Sequence, residues 1–298
     1  MALADVIEAV PTDRSKAGSG DIAPVNIAVG GPLADRRGDM RRRFGDTGFV
    51  KFTGLGDPRD VERVLGTLYR LWMRSDPDAR PIEAPIPWDA DAFHAALIAL
   101  RGNHPKAFAK IYDTMQISTA LQSLAIADPI TAAAAGVLET DPDGVAITGA
   151  MLRMDPPDDR RNALAWHQEF PHYPLNTNPA DGCVLWMPLQ DMEDASGAFK
   201  LCLGSHMEGV LDAGVAHCDR PSYYASEQHR IPDWRVARFE QTRPSVEAGD
   251  ALCFAMTTFH ATGENVSNRI RLTFGVRFHR TDGEGFSPGR FRHEPSPS

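Results

Sequence analysis

The first half of the chain places apolar residues at the three- and four-residue steps that are typical of amphipathic helices. The clearest stretch follows Asp57-Pro58, a pair that can cap and start a helix, and its apolar stripe is expected to face a core. Residues 31–143 are therefore predicted to be mainly helical support. The stripe consists of Val61, Val64, Leu65, Leu68, Leu71 and Trp72. Glycine and proline residues separate three further predicted helices, at 90–100, 106–124 and 130–138.

The pattern changes after Gly144 to short runs of β-type residues between turn residues. No 30-residue alternation of strand and helix follows, which argues against a doubly wound parallel sheet. The chain is therefore predicted to be an α+β protein, with a β-barrel or sandwich over residues 144–280 that is backed by the N-terminal helices. The predicted strands cover 145–154, 183–189, 199–203, 251–255 and 270–278.

Two segments lack sustained periodicity. Residues 1–30, rich in Ala, Gly, Pro and Asp, are predicted to be a loosely held arm, which leaves 31–298 as a single domain. Segment 207–245 is long and aromatic, as expected of either a lid over a pocket or a structural insertion, and its arginines suit an anionic small molecule. Its notable residues are Tyr223, Tyr224, His229, Arg230, Trp234 and Arg235.

Composition narrows the functional classes. A chain of 298 residues with 42% hydrophobic and 24% charged residues is typical of a soluble globular protein. A net charge of -9 disfavours nucleic acid as a partner, because binding phosphates requires a basic surface. No apolar run near the length of a membrane span and no signal peptide are recognised, so a cytoplasmic location without membrane contact is predicted. No feature of the sequence indicates an oligomeric state.

The stretch WHQEF, residues 166–170, places His167 and Glu169 two positions apart. Such a pair is expected roughly once by chance in this composition, so it indicates little alone. His260 follows the predicted strand 251–255, and a barrel would bring these strand ends together. Two imidazoles and one carboxylate leave the opposite metal positions open, which suits ferrous iron that must bind a cosubstrate and dioxygen. The alternative is a pair of unrelated polar histidines.

Arg271 lies on a predicted strand eleven positions after His260, and an arginine facing inward there requires a carboxylate partner. From Asp46 to Phe278, the chain resembles the phytanoyl-CoA dioxygenase family of iron- and 2-oxoglutarate-dependent oxygenases. The resemblance rests on Met151-Leu152 with Pro156-Pro157-Asp158, Trp166 to Glu169, Trp186, Gly197 with Leu203 to His206, Ala248-Gly249-Asp250, His260 to Asn265, and Arg271-Leu272-Thr273.

The resemblance implies a double-stranded β-helix, the jelly-roll or cupin-like barrel, with His167, Glu169 and His260 as iron ligands. It places Arg271 opposite the distal carboxylate of 2-oxoglutarate, because a guanidinium can bind a carboxylate through two bonds. Thr273 or Thr262 is expected to add a hydroxyl bond. Thr262, Trp186 and Met151 match positions that line the cosubstrate pocket, although Trp186 and Met151 also lie in apolar runs typical of core.

The activity that the resemblance implies uses Fe(II), 2-oxoglutarate and O2, with ascorbate as a reductant, and releases succinate and CO2. An unactivated carbon of a small molecule is oxidised, by hydroxylation or by a desaturation or ring closure. The family usually has Asp where this chain has Glu169, and the retained carboxylate argues against halogenation. The alternatives are a catalytically silent metal- or ligand-binding barrel and a cupin-like metal isomerase or hydrolase. Neither explains Arg271 and Thr273.

Overall fold

The computed structural model describes residues 26–28, 37–159, 163–170, 175–211 and 230–287. Helices and strands segregate along the chain much as predicted. The described helices are α1 (Arg37–Thr47), α2 (Pro58–Ser75), α3 (Asp91–Asn103), α4 (Pro105–Gln116), α5 (Thr119–Ala125), α6 (Asp128–Leu138) and α7 (Asp233–Val236). The described strands are β1 (Asn26–Ala28), β2 (Phe49–Thr53), β3 (Val145–Asp155), β4 (Gly182–Pro188), β5 (Phe199–Cys202), β6 (Gln241–Thr242), β7 (Ala251–Ala255), β8 (His260–Thr262) and β9 (Arg271–Arg280).

Local capping explains where the helices begin and end. The Asp57 side chain accepts a hydrogen bond from the Arg59 backbone N–H at the start of α2, as the sequence predicts. The single helix predicted over 106–124 is instead two helices, α4 and α5. Ser118 interrupts it, since its hydroxyl caps α5 by accepting from the Leu121 N–H at 3.3 Å.

Helix α1 was not predicted, because its four arginines hide a narrow apolar stripe. Met40 and Phe44, four positions apart, are buried against the core. The opposite side carries the charges, and the Asp39 carboxylate pairs with the Arg43 Nε at 2.8 Å, one helical turn away. The exposed Arg41 and Arg42 thus belong to the solvated face of a short helix.

The described strands form two sheets, in which nearly all neighbouring strands are antiparallel. The larger sheet has the order β1-β2-β7-β4-β9-β3, in which only the β1–β2 pair is parallel among the described strands. The smaller sheet has the order β6-β5-β8. The sheets face each other through aromatic side chains, since the Phe199 ring of β5 lies 4.7 Å from Trp186 of β4 and 5.4 Å from Phe254 of β7.

Strand periodicity sorts the side chains of the larger sheet onto two faces. On β9, the even-numbered residues pack into the core shared with the helices, while the odd-numbered residues from 271 to 277 line a cavity between the sheets. The core-facing residues of β9 are Leu272, Phe274, Val276 and Phe278. The cavity-lining residues of β9 are Arg271, Thr273, Gly275 and Arg277.

One segment differs from the expectation that no run approaches a membrane span. Thr119–Leu138 has a mean hydropathy of 1.4 and is apolar and long enough to cross a bilayer. Its apolar residues instead make the contacts of a core, because 56% of the apolar window is buried inside the fold and α5 and α6 are separate helices. A buried core of a soluble protein passes the same composition test, so the segment is weak evidence of a span.

The proposed arm and lid lie partly outside the described residues. Of residues 1–30, only Asn26–Ala28 are described, and they pair with β2 at the edge of the larger sheet. Within 207–245, residues 212–229 lie outside, and with them Tyr223, Tyr224 and His229. The described part contains α7, Arg230, Trp234 and Arg235.

Candidate metal and cosubstrate site

His167 and His260 are brought together by the backbone. They form an isolated antiparallel bridge in which the His167 N–H donates to the His260 carbonyl at 3.0 Å and the His260 N–H donates back at 3.1 Å. The side chains of such a pair lie on the same side of the ladder. Their ring centroids are 4.1 Å apart, so residues 93 positions apart in sequence become direct neighbours.

The hydrogen bonds of both rings define one tautomer. Nδ1 of His167 lies 2.7 Å from the Ala165 carbonyl oxygen, and Nδ1 of His260 lies 2.9 Å from that of Thr258. A carbonyl oxygen only accepts, so each Nδ1 carries the proton and each Nε2 has the lone pair that a metal requires. The two backbone carbonyls therefore orient both rings as metal ligands.

Glu169 completes the group. Its backbone N–H donates to the Met256 carbonyl at 3.0 Å, and its Oε1 lies 3.7 Å from Nε2 of His260. The ligand atoms of His167, Glu169 and His260 all lie within 4.8 Å of one another, and the three residues are 5%, 6% and 3% exposed. In the described part of the chain, no other cluster of three such residues has this geometry. Two nitrogens and one oxygen, already converged and buried, suit a divalent first-row ion.

Glu169 is also paired with Arg277 of β9. Arg277 Nη2 donates to Oε1 at 2.6 Å, and its Nε donates to Oε2 at 3.3 Å. Burial acts to raise the pKa of Glu169, but the positive charge of Arg277 opposes it, and the pKa lies well below its usual range. The carboxylate is therefore ionised, as a metal ligand must be.

A cavity of about 430 Å³ opens over the three candidate ligands. It is bounded by pocket-facing residues of β3, β4 and β9 on one side and by β5 and β8 on the other. All five residues predicted to surround the cosubstrate line it, namely Met151, Trp186, Thr262, Arg271 and Thr273. Trp186 and Met151 thus face the cavity and not the helical core.

Arg271 has the carboxylate partner that its burial requires. Its Nε and Nη2 lie 3.1 and 2.9 Å from Oδ2 of Asp155, on the neighbouring strand β3. Its Nη1 donates to the carbonyls of Ser196, Gly197 and Gly263 at 2.8 to 3.0 Å. Only glycine fits at 197, because φ is +86° and an added Cβ would lie 2.5 Å from Arg271 Nη1.

The cavity is also lined by Arg153, Asp155 and Arg277, which were not predicted from the sequence as site residues. Strand alternation places residues that are an even number of positions apart on the same face. Arg277 lies six positions after Arg271, and Arg153 lies two positions before Asp155, so each shares a face with that residue. Asp155 is shared, since its Oδ1 accepts from Arg153 Nη2 at 3.2 Å. Three guanidinium groups and two carboxylates therefore line the cavity.

Gln168 fixes the short segment between the two predicted ligands. Its Nε2 donates to the Gly209 and Thr257 carbonyls, each at 2.8 Å, and its Oε1 accepts from the Leu211 N–H at 2.9 Å. Gln168 thereby ties the beginning of segment 207–245 to the backbone beside His167.

Comparisons with known proteins point to a family and a fold. The sequence profile of the phytanoyl-CoA dioxygenase (PhyH) family matches residues 44–273. A search of curated proteins found no match.

Three solved structures illustrate the likeness in fold. The non-heme alpha-ketoglutarate-dependent epimerase SnoN from nogalamycin biosynthesis has a TM-score of 0.54 at 16% identity, over 83% of this chain and 84% of that chain. The carbocyclase SnoK from the same biosynthesis has a TM-score of 0.54 at 16% identity, over 84% and 87% of the two chains. The non-heme monooxygenase ThoJ, as a nickel complex, has a TM-score of 0.51 at 17% identity, over 81% and 77%.

Proposed function

Because the chain belongs to the phytanoyl-CoA dioxygenase (PhyH) family of non-haem iron, 2-oxoglutarate-dependent oxygenases, we propose that it oxidises an unactivated carbon of a small molecule. Hydroxylation is the proposed outcome. The observation that carries the proposal is the buried convergence of His167, Glu169 and His260 at the base of a cavity. The two facing sheets are proposed to form a double-stranded β-helix within a single domain over 31–298.

Fe(II) would be held by the Nε2 atoms of His167 and His260 and by the Glu169 carboxylate. When bound, iron with 2-oxoglutarate and O2 supplies the oxidation, which yields succinate and CO2 together with the oxidised product. The chain itself provides two histidine tautomers fixed by backbone carbonyls and an ionised carboxylate. Because the two histidines are already ordered by the fold, iron binding would require rearrangement mainly at Glu169, whose oxygens bond to Arg277.

The 2-oxoglutarate position is proposed to run from the ligand group toward Arg271. At that end of the cavity, Arg153 and Arg271 both bond to the carboxylate of Asp155. The distal carboxylate of 2-oxoglutarate would bind beside these guanidinium groups, which are good partners for a carboxylate. Thr273 and Thr262 also line this cavity, and the Thr262 Oγ1 accepts from the Leu164 N–H at 3.0 Å.

The apolar walls of the cavity are proposed to exclude water and to position the substrate. The ligands are surrounded by the largely apolar side chains of Val184, Trp186, Phe199 and Phe254. They would keep water from the reacting carbon and position the substrate near the iron. The rest of the assignment, a small-molecule substrate, ascorbate as reductant and a cytoplasmic location, stays a prediction.

The test measures succinate formation by purified protein with Fe(II), ascorbate and 2-oxoglutarate. The variants Arg271→Lys and Arg271→Leu address the cosubstrate. Replacing Arg271 with Leu should weaken 2-oxoglutarate binding by roughly 2 to 5 kcal/mol, as expected when one partner of a buried charge pair is removed. Arg271→Lys should recover only part of this, because lysine cannot form the planar two-bond contact.

Iron content is the control, and it should be close to that of the wild type in both variants. Arg271→Leu also leaves Asp155 buried without this partner, so 2-oxoglutarate affinity must be compared at a temperature where each variant is folded. Normal 2-oxoglutarate affinity in Arg271→Leu would refute the proposed cosubstrate position. Iron and 2-oxoglutarate binding without any succinate would favour the catalytically silent alternative.

A further inference from the structure

Gln168 is a buried amide that lies between the predicted ligands His167 and Glu169 and, unlike them, does not line the cavity. Resting on the proposed function, we propose that Gln168 is a positioning residue of the metal site, which holds the ligand-bearing segments in place and couples them to residues 205–211. Metal binding and the order of residues 205–211 thereby depend on each other.

The Gln168 side chain bonds to two segments that are distant in sequence. Its Nε2 donates to the carbonyls of Thr257 and Gly209, each at 2.8 Å, and its Oε1 accepts from the Leu211 N–H at 2.9 Å. An amide nitrogen has two protons to donate, and both are used here. Exchange of nitrogen and oxygen would place an oxygen against two carbonyl oxygens, so this pattern admits one orientation of the amide.

The bond to Thr257 connects Gln168 to the third predicted ligand. The next carbonyl, that of Thr258, lies 2.9 Å from Nδ1 of His260 and orients its ring. A shift of Thr257 would move this neighbouring carbonyl and change the direction in which the Nε2 lone pair of His260 points. Gln168 therefore acts on His260 through the backbone, in addition to fixing the segment of His167.

Residues 205–211 are attached to the same turn at their N-terminal end. The Thr257 hydroxyl donates to the His206 carbonyl at 3.2 Å, and the Ser205 hydroxyl accepts from the Phe259 N–H at 2.9 Å. Together with the amide bonds near the C-terminal end, these contacts hold the segment against the backbone that carries the ligands. Removal of the amide would release the C-terminal end of residues 205–211 from the ligand segment.

Gln116 makes the same three kinds of bond in another part of the fold. Its Nε2 donates to the carbonyls of Tyr112 and Leu152, each at 2.9 Å, and its Oε1 accepts from the Leu152 N–H at 2.9 Å. These bonds join α4 to β3, which contains no predicted metal ligand. Gln116 and Gln168 thus have similar hydrogen bonds and differ in what they hold, which makes them a matched pair.

The experiment titrates Co2+ alone into the full chain freed of metal and follows binding by calorimetry. Methionine has a length similar to that of glutamine and makes none of the three bonds. Gln168→Met should bind Co2+ about 10-fold more weakly than wild type, the lower end of the range for loss of a partner of a metal ligand. Gln116→Met loses as many bonds, but its Co2+ affinity should stay within about twofold of wild type, as expected of a distant site.

Two further measurements separate positioning from general stability. At saturating Co2+, the visible absorption of the bound ion depends on the geometry of its ligands, and it should change in Gln168→Met and not in Gln116→Met. Co2+ should also slow backbone hydrogen exchange of residues 205–211 in wild type. This slowing should be lost in Gln168→Met and retained in Gln116→Met.

Gln168→Asn carries the test if Gln168→Met does not fold. It keeps the amide on a shorter side chain that cannot reach all three partners, so its Co2+ affinity should lie between those of wild type and Gln168→Met. Wild-type affinity and absorption in the Gln168 variants would overturn the proposal. An equal loss of affinity in Gln116→Met, or persistence of the Co2+-dependent slowing in Gln168→Met, would also overturn it.

The variant His167→Ala separates this proposal from the proposed function. If His167→Ala bound Co2+ as wild type does, the ion would not occupy the proposed ligand group, and both proposals would fail. If His167→Ala lost Co2+ binding while Gln168→Met and Gln168→Asn did not, only the role of Gln168 would be refuted.

Discussion

The two faces of the six-stranded sheet follow the same rule of alternation and have opposite chemistry. On β9, Leu272 and Phe274 lie in a core shared with the helices, whereas Arg271 and Thr273 line the cavity. All four are at most 2% exposed, so burial alone does not distinguish structural from functional positions. The difference lies in what each side chain contacts: apolar atoms on one face, and charged or hydrogen-bonding groups on the other.

The two faces contribute to the stability of the fold in different ways. The helix-packed face is stabilised by removal of apolar surface from water, which depends on volume and shape. The cavity face buries guanidinium groups and carboxylates, which is unfavourable unless each is paired. The fold therefore accepts an electrostatic cost on the cavity face, and apolar burial on the other face offsets it. Substitutions on the helix-packed face should consequently change mainly stability, and substitutions on the cavity face should change mainly metal or cosubstrate binding.

The largest expected effect is on the cavity face, with His260→Ala. Removing one of three ligands should reduce iron affinity and succinate formation by more than about 100-fold, since even the loss of an outer partner of a metal ligand costs 10- to 100-fold. Iron content and succinate measurements check this prediction. Full iron occupancy and turnover in His260→Ala, or likewise in His167→Ala, would rule out the proposed ligand set.

A smaller effect is expected on the opposite face, with Phe274→Ala. This side chain is fully buried, so its truncation should lower the free energy of unfolding by about 3 to 5 kcal/mol. Denaturant unfolding provides the measurement. Iron and 2-oxoglutarate affinities, measured where the variant is folded, should change little.

Thr273→Ala is the matched control, one position away on the other face of β9. It should lower stability by about 1 kcal/mol and instead weaken 2-oxoglutarate binding, because one hydroxyl bond is lost. If both substitutions had the same profile, the two faces would not be energetically distinct.

The periodicity of the sequence was sufficient to predict most of the elements that form the two faces. It located α2, the strands around 145–155 and 271–280, and the apolar character of the helix-packed face. The family resemblance over 46–278 is confirmed by the profile match to 44–273. Every site residue that the resemblance suggested is at the candidate metal site or lines the cavity, while the roles of these residues stay predictions.

What the sequence did not predict depends on contacts between distant strands. The Arg271–Asp155 and Arg277–Glu169 pairs join residues 116 and 108 positions apart, and only the strand register brings them together. Four strands also escaped prediction. β1, β6 and β8 have at most three residues each, which give too little periodicity, and β2 lies in the half of the chain with helical periodicity. Pairing partners of this kind require the sheet order, which local patterns do not determine.

The last expected effect concerns the pH dependence of stability and arises from a residue of helix α3. His94 of α3 is 1% exposed, and its Nε2 accepts a hydrogen bond from Arg269 Nη2 at 2.8 Å. Burial, together with the charge of Arg269, lowers the pKa of His94 from 6.5 to about 4. Between these values the unfolded chain binds the proton and the folded chain does not, so stability is lost as pH falls below about 6.5. His94 should contribute a loss of about 1 to 2 kcal/mol between pH 7 and pH 5.

The variant His94→Gln tests this assignment, because glutamine retains an acceptor for Arg269 and does not titrate. Its free energy of unfolding should fall less than that of wild type between pH 7 and pH 5. Some dependence will remain, since burial also lowers the pKa of His279 to about 4. Because His94 does not line the cavity, the ratio of 2-oxoglutarate affinities of the variant and wild type should stay constant over this range. An identical loss of stability in both proteins would exclude His94 as the titrating group, and a changing affinity ratio would show that the two faces are coupled.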